Sequence, residues 1–128
     1  MNKLPTSAWI ILTSVIIFSS CTRSIEIEGF SSKEWKSDRN GCKNIRQDDA
    51  KLILESKDKV LGQTEHAILK LMGRPDKNEL YTRQQKFYIY YIDPGPLCDE
   101  TMSTMDSARY LSIRFNATGV VNEVFIYE

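Results

Sequence analysis

An apolar run from Ala8 to Phe18 is followed by the small pair Ser19-Ser20 and then by Cys21. Lys3 supplies a charged start, so the order matches a secretory signal: charge, an apolar stretch of roughly 7 to 15 residues, then small residues at the cut. A cysteine in this place is where a lipoprotein peptidase cuts, with a branched apolar residue preferred three positions upstream. Phe18 suits that position loosely, and Ser19 and Ser20 suit theirs well. A membrane-spanning helix needs about 20 apolar residues, and this run stops short at polar Ser, Thr and Arg. The expectation is a signal peptide over residues 1–20 and acyl chains on Cys21. That places the mature chain in the cell envelope, in contact with the membrane through its lipid. Thr22 is not the Asp that retains enteric lipoproteins at the inner membrane, which favours the outer membrane of a Gram-negative bacterium. Ordinary secretion with a cut elsewhere is the alternative.

Removing the leader leaves 108 of the 128 residues, enough for one domain with one core. Lys3 is the leader's one charged residue, so the remainder carries 16 basic against 17 acidic groups. The two signs are interspersed, which provides no field for nucleic acid. With Cys21 assigned to lipid, Cys42 and Cys98 remain in an oxidising compartment, and a disulfide between them is the natural reading. Two separate thiols are the alternative. No C-x-x-C spacing points to redox catalysis or a zinc knuckle.

Residues 21–32 read as a tether with a few ordered positions, Ile25 and Ile27 hinting at a brief edge strand. The single domain then runs over 33–128. Its first block, KEWKSDRNGCKN, has turn chemistry at Asp38, Asn40 and Gly41, with Trp35 as an apolar anchor near Cys42. Ile45, Leu52 and Ile53 predict a first helix near 47–56. The stretch TEHAILKLMGRPD predicts a second over about 64–72. There Thr64 caps the start, Glu65 complements the dipole, Ile68, Leu71 and Met72 form the buried stripe, and Gly73 and Pro75 stop the helix. Strands follow at 86–92, 109–115 and 120–127, the last two joined by a hairpin turn at 116–119. The connection 93–108 is unusually long for neighbouring strands.

Gly62, Thr64, Ile68, Gly73, Pro75 and Asp76, with Phe115, Gly119 and Val120 in the final hairpin, form a pattern that resembles the small BamE-type lipoproteins, also called SmpA or OmlA. The match spans roughly residues 45–127. The resemblance implies an α+β sandwich, with two N-terminal helices packed on a three-stranded antiparallel meander. It also implies a non-catalytic accessory role in the envelope, as in outer-membrane assembly or lipid binding; the same fold group holds proteins that bind and inhibit β-lactamases. The Cys42 and Cys98 pair, the Trp35 block and the 93–108 loop depart from the assembly subunit's pattern, which implies a separate branch. Every matched residue does capping, turn or core work, so the pattern identifies a fold rather than a site.

No catalytic constellation emerges. His66, the one histidine, stands alone between Glu65 and Ala67, whereas a catalytic histidine needs a nucleophile or orienting carboxylate and a metal needs three or four ligands. A solvated helix residue is the reading. The pairs Asp48-Asp49 and Asp99-Glu100 lack the spacing of a calcium loop. No metal or cofactor is expected, and no enzymatic activity. The aromatic strands suggest instead an interface of Tyr88, Tyr90, Tyr110, Phe125 and Tyr127, on condition that one sheet face is open. The expected partner is an envelope protein bound through that face or the 93–108 loop, with Met102 and Met105 as adaptable contacts. An inhibitor that inserts this loop into an enzyme's cleft is the alternative.

Overall fold

The computed structural model describes residues 24–98 and 108–128. The expected signal peptide, Cys21, the Asp99-Glu100 pair and the loop residues Met102 and Met105 lie outside them. Four helices, α1 (Ser32–Ser37), α2 (Arg46–Glu55), α3 (Lys57–Val60) and α4 (Glu65–Met72), precede strands β1 (Lys77–Tyr81), β2 (Gln85–Tyr91), β3 (Tyr110–Phe115) and β4 (Val121–Tyr127). The strands form one antiparallel sheet in the order β1-β2-β3-β4.

The mixed α+β class agrees with expectation, but the sheet has four strands, not three. The additional strand, β1, is KNELY, which lacks a β-branched residue and leaves four of its five positions exposed. Its own propensity is weak. It exists because a short hairpin from β2 folds it back in register, with Lys77 opposite Ile89 and Tyr81 opposite Gln85.

Helix α4 forms as its sequence dictates. The Thr64 hydroxyl accepts from the Ala67 N–H, and Ile68, Leu71 and Met72 are buried. Gly73, at φ 75°, takes the stop. Carbonyls at and just past that end are met by side chains from elsewhere: Lys36 donates to Lys70 O, Ser32 to Leu71 O, Tyr90 to Gly73 O and Arg39 to Arg74 O. Two of these donors are cations set against the negative end of the helix dipole.

Helix α2 departs from its predicted face. Ile45 is 39% exposed, while Arg46, Asp49, Ala50 and Ile53 point inward. The Trp35 block, read as turn chemistry, is the helix α1 followed by a 3-10 turn at Arg39–Gly41. Trp35 is fully buried against Phe30, Tyr90 and the Arg46 guanidinium. Part of the segment expected as a tether with a few ordered positions packs on the domain. Ile27 is buried in the core and Ile25 and Phe30 pack on it, without forming a strand, because this segment covers apolar surface that the short helices leave open.

Cys42 and Cys98 form a disulfide with Cα atoms 5.4 Å apart. It staples the start of the long connection onto the turn before α2, where the Gly95 N–H donates to Asn40 O at 2.8 Å. Gly41 is required here, since a Cβ would meet Asp93 O at 2.4 Å. At the other end, Asn116 closes the β3–β4 hairpin by accepting from the Thr118 and Val120 N–H groups. Val120 bridges to Thr64 and Glu65 N donates to Gly119 O, so this hairpin also holds the start of α4.

Candidate interaction surface

Side chains alternate across a strand, and β2 divides its aromatic residues accordingly. Tyr88 and Tyr90 point toward the helices. The Tyr88 hydroxyl donates to Glu65 Oε2 at 2.9 Å and the Tyr90 hydroxyl to Gly73 O at 2.9 Å. They are 5% and 0% exposed, so both leave the expected interface. The reason is register. Leu111, Ile113 and Phe115 of β3 fill the helix side, and the paired positions Tyr90, Tyr88 and Lys86 necessarily share that side. Burial raises the Tyr88 phenol to about 12, with the nearby Glu65 carboxylate adding to the shift; burial likewise raises Tyr90.

Tyr110, Phe125 and Tyr127 occupy the outer face, joined there by Tyr81, Phe87 and Tyr91. Tyr110 and Tyr127 stack with ring centroids 5.0 Å apart and planes 13° from parallel, and Tyr91 meets Tyr110 edge-on at 6.2 Å. Burial raises the Tyr110 phenol, with Tyr127 as the next cause. Tyr81 packs its edge on Phe87 at 4.9 Å and donates to Glu79 at 3.0 Å. Tyr127 and Tyr81, at opposite edges of the sheet, are 50% and 57% exposed, whereas Ile89 and Ser112 at the centre of this face are buried. Charged pairs flank the rings. Lys77 meets Glu79, which raises the amine and holds the carboxyl below its usual range, and Arg114 meets Glu123 at 3.0 Å. Neither Tyr81 nor Phe87 and Tyr91 belonged to the interface expected from sequence. Phe87 and Tyr91 were visible in the alternation of β2, but nothing in KNELY marks Tyr81 as a partner of the same face.

Two further carboxylates act as structural ties. Asp93 takes two hydrogen bonds from Arg109 at 2.8 and 2.9 Å, and these hold its carboxyl low. Glu65 accepts from Lys86 and Tyr88; burial opposes its ionised form, but the two hydrogen bonds prevail and the carboxyl sits below its usual range. His66 is exposed on α4, lining a cavity with Lys70 and Ala67. Among the described residues, no group of three His, Cys, Asp or Glu side chains is placed to hold a metal ion, the Asp48-Asp49 pair included. Nor, among them, is any helix long and apolar enough to cross a membrane.

No family model, curated protein or solved structure gives a significant match to this chain.

Proposed function

We propose that the protein is a lipid-anchored, non-catalytic envelope protein that works as an interaction module, with Cys21 as its anchor and the outer aromatic face as its contact surface. The observation that carries the reading is the layer of rings on the side of the sheet away from the helices, ending in exposed Tyr81 and Tyr127. Tyrosine offers large, rigid contact area with a polar tip at little entropic cost, which is why it is enriched at protein interfaces. The chemistry around these rings is that of ion pairs and stacked phenols.

The BamE-like assignment belongs to the same proposal. Gly73 caps the end of α4, and Phe115, Gly119 and Val120 lie in the final hairpin, which supports that reading. Four strands and a disulfide favour a separate branch over the outer-membrane assembly subunit.

Photo-crosslinking residues introduced at Tyr127 and, as a control, at Glu55 on α2 test the contact surface in intact envelopes. The reading expects one discrete protein adduct at Tyr127 and none at Glu55. Equal labelling at both positions would remove the outer face as the contact. A discrete adduct formed instead from Leu97, which is 75% exposed in the long connection, would favour the inhibitor-like alternative.

A further inference from the structure

We propose that the mature protein rests on the bilayer through its helical layer, with the surface formed by the N-terminal segment, α1 and α4 against the phospholipid headgroups and the aromatic sheet face turned away. The inference rests on the reading of Cys21 as the lipid-bearing residue, and the anchoring geometry follows from where that residue joins the domain. Ile27 is 7% exposed in the core and Ile25 packs on it, so the chain is fixed to the domain from this point. Ser24 lines a cavity of about 160 Å³ with Ile25, Ser32, His66 and Lys70 on the outer side of α4. Three peptide links separate Ser24 from Cys21, a reach of about 11 Å at full extension.

That reach decides the orientation. A domain of this size has a radius of gyration of about 13 Å and is therefore on the order of 30 Å across. A tether near one third of that width cannot let the domain roll until its opposite layer meets the bilayer. The cavity between the N-terminal segment and α4 is also chemically suited to headgroups. No acidic side chain lines the cavity. Lys70 lines the cavity and is exposed, and such a side chain lays its methylene stem along apolar surface while the ammonium reaches the phosphate level. The outer sheet face lies on the far side of the sheet from α4, which leaves Tyr110 and Tyr127 free to meet a protein partner in the aqueous space.

Lipidated protein purified from membranes and reconstituted in phosphatidylcholine nanodiscs carrying paramagnetic headgroup lipid tests this through amide relaxation. Enhancement should be several-fold larger at Ser32, Lys36, His66 and Lys70 than at Glu123, Phe125 and Tyr127. A second preparation separates the geometry from its premise. In a chain begun at Cys21 and produced without lipidation, Cys42 and Cys98 are bonded to each other, so the Cys21 thiol is left to couple to a maleimide-headgroup phospholipid in the same nanodiscs. The same pattern is expected there. Enhancement at β4 equal to or above that at α4 in the coupled protein would overturn the orientation, whereas an unmodified Cys21 in protein from cells would overturn its premise.

Discussion

Arg46 Nη1 donates to Asp76 Oδ2 at 2.5 Å, with the two side chains 1% and 0% exposed. The guanidinium also stacks 4.8 Å from the Trp35 ring centre and donates to the carbonyls of Trp35 and Tyr91. Asp76 in turn accepts from the Asn40 and Tyr91 N–H groups. The pair thus ties α2 to the turn after α4 and to β2. Removing one member leaves the other charged and buried, so Asp76→Ala should cost about 3–5 kcal/mol, whereas replacing both with apolar residues should cost less than the sum of the single changes. Urea unfolding of the single and double variants checks this; an additive cycle would contradict the coupling.

The disulfide closes a loop of 55 intervening residues, and constraint of the unfolded chain accounts for its expected value of about 2–4 kcal/mol. Cys42→Ser with Cys98→Ser should lower the unfolding midpoint accordingly. Reductant should lower the midpoint of the natural chain and leave that of the double variant unchanged. An unaltered midpoint in the natural chain under reductant would show that the staple contributes nothing.

Stability should depend on pH through Glu65 and Asp93 in one direction and Asp49 in the other. The first two titrate below their ordinary values of 4.5 and 3.8, so the unfolded chain binds their protons more readily. Their contribution is present above those values and lost as the pH falls through the lower folded ones. Asp49, 9% exposed with one carboxyl oxygen lacking a partner, is raised by burial and by Glu34 and Asp48. Its ionisation costs stability as the pH rises above 3.8. Glu65→Gln should therefore destabilise the protein near neutral pH and flatten its acid limb, while Asp49→Asn should stabilise it near neutral pH. Denaturation midpoints between acid and neutral pH read both effects, and opposite signs would refute the assignments.

The β1–β2 turn holds two non-glycine residues, Arg83 and Gln84, at φ 61° and 58°. Side chains there meet the steric penalty of the left-handed region. Gln84→Gly relieves it at an exposed site, and should raise stability by up to about 1 kcal/mol. A lowered melting temperature would show that Gln84 makes a contact that outweighs the strain.

These elements also separate what was legible in the sequence from what was not. Helix α4 and the β3–β4 hairpin carry local chemistry: a capping Thr64, a left-handed Gly73, and Asn116 and Gly119 at the turn. Their residues contain the instruction. The face of α2 contains none, because Arg46 is buried against partners that include Asp76, thirty positions later, and charge in a sequence reads as solvent exposure until a partner is known. Strand β1 exists through its neighbour's register. The division of Tyr88 and Tyr90 from Tyr110 and Tyr127 was open for the same reason, since β2 is apolar on both faces and periodicity alone cannot say which set meets the helices. Tyr110, Phe125 and Tyr127, grouped from the sequence, share the outer face, while nothing in KNELY signals that Tyr81 joins them there.

The central proposal is an anchored module, and the mass of the mature N-terminal peptide, taken from protein extracted from envelope membranes, tests it most directly. The account predicts a chain beginning at Cys21 and bearing acyl groups, with this peptide shifted to its unmodified mass, or the chain left uncut, in Cys21→Ala. A natural chain that begins at any other residue, with Cys21 unacylated, would contradict it.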